Sequence, residues 1–166
     1  MKIKVYDHAL YIEAFKASDA SRLWRFGPLG SYSEGYRSTW FAVLGDRVVV
    51  TENDAKVHLV NLNTGKKLKT RELTDKARGV CIPPDKKGNT VWVMVADKRH
   101  HAINIKSGKL KEATLPEFCN EPGIKTTIAA RARQREELAR APDLKGFKAL
   151  RVHISGHTMV VAGHKH

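Results

Sequence analysis

The sequence contains few cysteines, and this scarcity limits the kinds of site it can build. Its two cysteines, Cys81 and Cys119, are too few for a disulfide framework or for a zinc site made of four thiolates. A single bridge between them is open. Two separate buried or partly buried thiols are the favoured interpretation, because no targeting segment is visible.

Long apolar runs are also lacking. No stretch approaches the roughly 18 residues that a membrane-spanning helix needs, and the opening MKIKVYDHALYIEAF breaks its apolar residues with Lys, Asp, His and Glu. We therefore expect no membrane span and no signal peptide, with the compartment open and the cytoplasm slightly favoured. A chain of 166 residues with 42% hydrophobic content suits one folded domain covering residues 1–166.

Acidic residues are scarce relative to basic ones. Lys and Arg number 30 against 17 Asp and Glu, which gives a formal net charge of +13. Such an excess attracts polyanions, including nucleic acid and acidic proteins. The cations form short runs without one dominant tract, however, and short runs are usually solvated turns. A specific nucleic-acid role would need these charges gathered on one surface.

A repeated phrase is the strongest positive signal. VNLNTGKKLK (60–69) returns as INIKSGKLKE (103–112), and at an offset of 43 residues Gly108 falls on Gly65, His101 on His58 and Asn104 on Asn61. A period of this length is typical of β-propeller blades. Gly65 and Gly108 suit the positive φ that a tight turn requires, and we identify both as structural turn residues.

Each unit has the short apolar period of strands and lacks the longer period of helices. Traces of a further unit occur near the start (ALYIEAFKASDASRLWRF) and near the end (LRVHISGHTMVVAGHKH). We predict a mainly β fold of four-stranded antiparallel propeller blades, two full and two partial. The strands of the first full unit are predicted at Thr39–Leu44, Arg47–Thr51, Lys56–Leu62 and Lys67–Leu73.

These phrases resemble the repeats of the PQQ-like (quinoprotein-like) β-propellers, whose blades carry Asp-x-x-Thr-Gly-Lys followed by a Trp. Here Asn61 replaces the Asp, Leu68 lies near the position of the Trp, and Trp24 keeps that aromatic in the first copy. The Trp-Asp dipeptide of WD40 blades is absent, so WD40 is the second choice. The resemblance implies a fold and carries no activity with it.

One segment breaks the strand pattern. KTTIAARARQREELARAP favours a helix from about Thr126 to Arg140, inside a helical insertion at about 116–147. Its arginines make it the most concentrated basic element and the candidate binding residues, with a solvated helix face as the alternative. They are Arg131, Arg133, Arg135 and Arg140.

Catalytic and metal motifs are missing. There is no Gly-x-Ser-x-Gly elbow, and GPLGSYSEG (27–35) lacks the Gly-Lys-Ser/Thr ending of a phosphate loop. Histidines crowd the last hairpin, but no metal-ligand spacing supports them, so we expect no metal site, no catalytic residue and no cofactor. These histidines are His153, His157, His164 and His166. A surface site for a transition metal is the alternative, because His164 and His166 are two apart on a strand and share a face.

The sequence thus favours a non-enzymatic interaction or scaffold module that binds a macromolecular partner, with a protein partner expected. One alternative is a nucleic-acid-binding surface centred on the Arg-rich helix. The other is a fragment of a quinoprotein-type enzyme, which would need more blades than this chain supplies. Because both ends of the predicted array carry incomplete blades, we also expect self-association into a dimer.

Overall fold

Three four-stranded antiparallel sheets make up the described fold in the computed structural model. The structure describes residues 8–31, 33, 38–119, 147–155 and 158–165. In the last two ranges it describes the side chains only of residues 152, 153 and 158–164. The twelve strands are β1 (Leu10–Lys16), β2 (Arg22–Phe26), β3 (Phe41–Leu44), β4 (Arg47–Glu52), β5 (Lys56–Asn61), β6 (Lys67–Glu72), β7 (Ala77–Cys81), β8 (Thr90–Val95), β9 (His101–Asn104), β10 (Leu110–Glu112), β11 (Phe147–Ser155) and β12 (Thr158–Lys165).

Sheet II, with the order β3-β4-β5-β6, lies between the other two. Its middle strands β4 and β5 are buried along their centres on both faces, whereas the outermost strand β6 is mostly exposed. Neighbouring residues of β4 serve different interfaces, because successive side chains of a strand point to opposite faces. Val48 and Val50 pack with sheet I, and Val49 packs with sheet III.

Sheet III has the order β7-β8-β9-β10 and buries one face against sheet II. Its strand β8 alternates strictly: Val91, Val93 and Val95 are buried in the shared core, while Trp92 and Met94 are half-buried on the opposite face. Complete burial of each valine stabilises the fold by about 1.5–3 kcal/mol relative to exposure. The strands predicted for the first full unit are confirmed in sheet II, with ends that differ by no more than two residues, and the second full unit is the four-stranded sheet III.

Sheet I joins the two ends of the described chain. Its order is β11-β12-β1-β2, and β1 pairs with β12 over seven residue pairs, from Leu10 with His164 to Lys16 with Thr158. The prediction of two partial blades is wrong in this respect, since the two pieces are halves of one sheet. Considered alone, each half would leave one strand edge unpaired. Antiparallel pairing of β1 with β12 satisfies the backbone N–H and C=O groups of both edges.

The cysteines correct a second prediction. Cys81, the last residue of β7, and Cys119, in the short 3₁₀ helix Glu117–Cys119, form a disulfide with Cα atoms 5.8 Å apart. The expectation of two separate thiols is wrong because the chain after β10 turns back over the outer face of sheet III. There Phe118 meets the Trp92 ring edge-on at 5.4 Å.

The predicted helix from about Thr126 to Arg140 lies outside the described residues, as does most of the predicted insertion. Within the described ranges the structure contains no α-helix of seven residues or more. It also contains, in that part of the chain, no helix long and apolar enough to cross a membrane.

Candidate functional site

The turn between the third and fourth strands occurs twice with the same hydrogen bonds. In sheet II, Asn61 Oδ1 accepts from the backbone N–H of Asn63 (2.8 Å) and of Thr64 (3.2 Å). In sheet III, Asn104 Oδ1 accepts from the N–H groups of residues 106 (2.9 Å) and 107 (3.0 Å). Gly65 and Gly108 both have φ near 74°, which L side chains rarely adopt.

At the first junction, between sheets I and II, a tryptophan closes the space in front of this turn. A Cβ built on Gly65 would lie 2.7 Å from the Trp24 ring, so only glycine lets the indole approach this closely. The Trp24 Nε1–H donates to the carbonyl oxygen of Leu62 at 2.7 Å. Trp24 is 7% exposed. It therefore combines apolar burial with a satisfied polar group, as buried indoles require.

At the second junction, between sheets II and III, a lysine occupies the corresponding place. A Cβ on Gly108 would lie 2.7 Å from Lys69 Cγ. Leu68, which the sequence comparison put near the position of the Trp, is instead 37% exposed. That expectation is wrong because a register shift in β6 leaves Leu68 without a pairing partner between Lys67 and Lys69. The equivalent shift in β2 skips the exposed Leu23, so Lys69 corresponds to Trp24.

Beside Lys69 the second junction is open. A cleft of about 510 Å³ extends from Arg71 of β6 to strands β8, β9 and β10 of sheet III. Its lining carries three cations and three neutral polar side chains, with neither a carboxylate nor an aromatic ring among them. The lining residues are Arg71, Thr90, Ala102, Asn104, Ser107, Lys109, Leu110 and Lys111.

The cleft belongs to a larger basic surface on the outermost strands β6 and β10 and the turns that precede them, which we call the basic rim (residues 66–72 and 106–112). It holds seven cations and two carboxylates, Glu72 and Glu112. Glu112 pairs with Arg99 and so compensates a cation outside the rim. The seven cations of the rim are Lys66, Lys67, Lys69, Arg71, Lys106, Lys109 and Lys111.

The outermost strand of sheet I has no comparable positive surface. Arg22 and Arg25 both approach Glu13, which is 2% exposed, and the Arg25 guanidinium lies over the Tyr11 ring, 4.6 Å from its centroid. The buried carboxylate thus offsets one of the two positive charges of β2. The positive field of the described outer strands is concentrated on sheets II and III.

A second polar cluster surrounds His58. Its Nδ1 lies 2.9 Å from Thr70 Oγ1 and its Nε2 lies 2.6 Å from Glu52 Oε2. The order hydroxyl, imidazole, carboxylate is also found in nucleophilic triads. Here the imidazole is 7% exposed and the Phe26 ring packs against it at 5.4 Å, so a substrate has little access. The cluster links β4, β5 and β6 by side-chain hydrogen bonds and so stabilises sheet II.

His101, the repeat partner of His58, has different neighbours. Its Nε2 accepts from the backbone N–H of Thr74 at 3.3 Å, and the Thr74 hydroxyl lies 3.2 Å from Asp97 Oδ1. Burial lowers the pKa of His101, against the opposing effect of the carboxylates of Glu112 and Asp97. A neutral imidazole that accepts a backbone hydrogen bond has a structural role.

The histidines of the last hairpin are placed only in part. His164 stacks on His8 with ring centroids 5.0 Å apart, and burial, followed by the charge of Lys86, lowers the pKa of His153. His157 and His166 lie outside the described residues. Among the residues that are described, no group of three or more His, Cys, Asp or Glu side chains could hold a metal ion.

The predicted binding arginines of the 126–140 segment are not among the residues described, so the structure does not test them. The basic rim is a surface that sequence reasoning missed. Its signal was present in KKLKTR and KSGKLK, which follow or span the two turn glycines. Those runs were interpreted as solvated turns because the sequence alone does not show that β6 and β10 are neighbouring outer strands.

No protein-family model matches the chain, and no curated protein matches it. Among solved structures, BamB from Moraxella catarrhalis is 17% identical with a TM-score of 0.44, over 59% of this chain and 29% of that one. The Cps50 (Swd1) β-propeller domain from Myceliophteria thermophila is 11% identical with a TM-score of 0.48, over 93% of this chain and 49% of that one. The chain spans less than half of either.

At such identities and TM-scores the likeness concerns the fold alone. The propeller-type assignment therefore depends on the molecule itself, in which three four-stranded antiparallel sheets follow one another and pack face to face through two apolar cores. On that basis the predicted β-propeller repeat fold is confirmed.

Proposed function

We propose that this protein is a non-enzymatic interaction module that binds an acidic protein through the basic rim. The observation that carries the proposal is the rim's composition, with seven cations and two carboxylates on β6, β10 and the turns that precede them. The two segments adjoin where Lys69 lies against Gly108 and where the cleft joins Arg71 to Lys109. Surfaces of one sign raise the encounter rate with partners of the opposite sign and determine their orientation.

An acidic protein suits this surface better than nucleic acid does. Single-stranded nucleic acid is held by aromatic platforms as well as by charge, and no aromatic side chain lines the cleft in the rim. Lysines on outer strands also prevent unwanted strand pairing. Protection of a strand edge needs no cleft, and it does not explain the neutral hydrogen-bond donors Thr90, Asn104 and Ser107 in the lining of this cleft.

The proposal is tested by removing equal charge from two surfaces. Lys66, Lys67 and Lys106 lie in the rim outside the cleft, and their joint replacement by Gln should weaken binding of a fluorescein-labelled oligo-glutamate peptide by about ten-fold, measured by anisotropy at low salt. The matched control replaces Lys76, Arg78 and Lys87, three exposed cations on or near β7 at the opposite edge of sheet III.

Equal losses in the rim variant and the control variant would show that the attraction is a property of net charge, and would overturn the proposal. The same variants are also titrated with a DNA oligonucleotide of equal charge. If the DNA binds more tightly than the peptide and loses affinity in the rim variant, the acidic-protein proposal is replaced by the nucleic-acid alternative. A fall in affinity with rising salt is expected in each case.

A further inference from the structure

We infer that the cleft at the second junction anchors one side-chain carboxylate of the acidic partner segment, with Asn104 as a specific donor beside Arg71 and the two lysines. The inference rests on the proposed function and adds to it a defined site. It predicts that a single neutral residue in the cleft affects binding more than its charge alone explains.

The orientation of the Asn104 amide follows from the turn. Because Oδ1 accepts the backbone N–H groups of Lys106 and Ser107, the oxygen is committed to the turn and the Nδ2 amino group must be directed elsewhere. Asn104 is exposed and lines the cleft. Within the described residues its Nδ2 makes no hydrogen bond, so two N–H donors remain for a ligand.

The other polar groups of the lining favour the same kind of ligand. Arg71 Nη1 donates to the carbonyl oxygen of its neighbour Thr70 at 3.0 Å, which uses one of the five N–H groups of the guanidinium and restricts its position. Lys109 and Lys111 supply only donors. The hydroxyl of Ser107 accepts from the backbone N–H of residue 109 at 3.3 Å, which leaves its O–H to donate. The lining is therefore rich in donors and complementary to an oxyanion.

A carboxylate is the occupant that best matches the surface as a whole. The rim extends over two strands, so a partner needs a run of anions, and a run of Asp or Glu provides this without modification. A hydrogen bond to a charged group is stronger than one between two neutral groups. The loss of the Asn104 donors should consequently weaken binding by about ten-fold or more.

The repeat supplies a matched control. Asn61 makes the same two turn hydrogen bonds as Asn104, but it lies at the junction that Trp24 closes and does not line the cleft. Asp in place of either Asn keeps the acceptor that the turn needs. Each substitution also adds one negative charge to a turn that adjoins the basic rim, so the two variants differ mainly in the cleft.

The experiment compares Asn104→Asp with Asn61→Asp in anisotropy titrations with the oligo-glutamate peptide, after thermal melting has shown that both variants fold. We expect Asn104→Asp to weaken binding about ten-fold and Asn61→Asp no more than about three-fold. Equal weakening would overturn the cleft while leaving the rim, and hence the proposed function, intact. The triple rim variant tests that function independently.

Two further arms complete the design. If Asn104→Asp does not fold, Arg71→Gln is compared with Arg78→Gln, which removes one exposed cation from β7 at the opposite edge of sheet III. We expect Arg71→Gln to weaken peptide binding about ten-fold and the control variant to weaken it much less. Equal losses of affinity in the two variants would overturn the inference. A phosphoserine peptide that binds more than about ten-fold tighter than the glutamate peptide, and loses this advantage in Asn104→Asp, would overturn the carboxylate assignment in favour of a phosphate.

Discussion

The two junctions between the described sheets share a turn and differ in the side chain placed against it. At the first junction the Trp24 indole lies on Gly65 and bonds Leu62, whereas at the second Lys69 lies on Gly108 beside a cleft of about 510 Å³. The turn itself does not determine whether a junction is closed. That depends on one residue of the preceding outermost strand, so one repeat can serve structure and another can serve binding.

Removing the indole should have the largest effect on this comparison. Trp24→Ala deletes a side chain that is 7% exposed and leaves the Leu62 carbonyl without its donor, so we expect the free energy of unfolding to fall by about 3–5 kcal/mol. Urea denaturation measures it. Leu68→Ala, at the exposed position, is the control and should stay within about 0.5 kcal/mol of the parent. Similar losses in both variants would contradict the assignment of Trp24 as the side chain that closes the first junction.

The glycines provide the next test, because they have the same φ and different neighbours. Ala at either position is strained in the left-handed region by about 1–2 kcal/mol. In Gly65→Ala the new Cβ also meets three atoms of Trp24 within 2.8 Å, whereas in Gly108→Ala it meets chiefly the flexible Lys69 chain. We expect Gly65→Ala to cost about 1 kcal/mol more.

The same glycine variants made in a Trp24→Ala background provide the check. There the difference between the two positions should shrink, since the rigid ring is gone. A difference that persists would show that the two turns themselves are unequal.

Introducing an indole at the second junction should produce a smaller gain. Lys69→Trp would place an aromatic ring against Gly108 and close the junction, so we expect stabilisation of about 0.5–2 kcal/mol, as for other cavity-filling changes, together with weaker oligo-glutamate binding. Leu68→Trp puts the same residue on the exposed position and should change neither property. Destabilisation by Lys69→Trp would show that the junctions differ in backbone geometry as well.

Acid should have the smallest effect, acting on the histidine of sheet III. Because the pKa of His101 is lowered in the folded protein by burial, the unfolded chain takes up its proton first. Stability is therefore intact above the unfolded pKa of about 6.5 and falls as the pH drops below it, until the folded imidazole is also protonated. His101→Gln should reduce the slope of this part of the stability profile, and the slope that remains is expected from His153, whose pKa is also lowered by burial. An unchanged slope would contradict the assignment.

Self-association stays a prediction, although one of its grounds has changed. It was inferred from two incomplete blades, and β1 and β12 complete one sheet within a single chain. Light scattering that gives the mass of one chain, unchanged on dilution, would exclude the dimer. A larger mass would require an interface other than the paired halves of sheet I.

Much of the fold was predictable because it is local. Consecutive valines in VVV and alternating valines in TVWVMV, with a turn glycine in each copy, restrict where strands begin and end. The period of 43 residues predicts sheets that pack on one another. The candidate site was less accessible. The Arg-rich segment attracted attention because its charges are dense in sequence, whereas the cations of the rim gather only when β6 and β10 become neighbours.

The sequence by itself determined the repeat, the strands and the glycine turns, since hydrophobic period and backbone conformation depend on residues close along the chain. Only the tertiary structure decided three further features. These are the joining of β12 to β1, the bond between Cys81 and Cys119, and the choice of Lys69 over Leu68 at the second junction. The first two features depend on contacts between residues far apart in the chain, and the third depends on a register shift within a strand pair. Local composition specifies neither kind of contact.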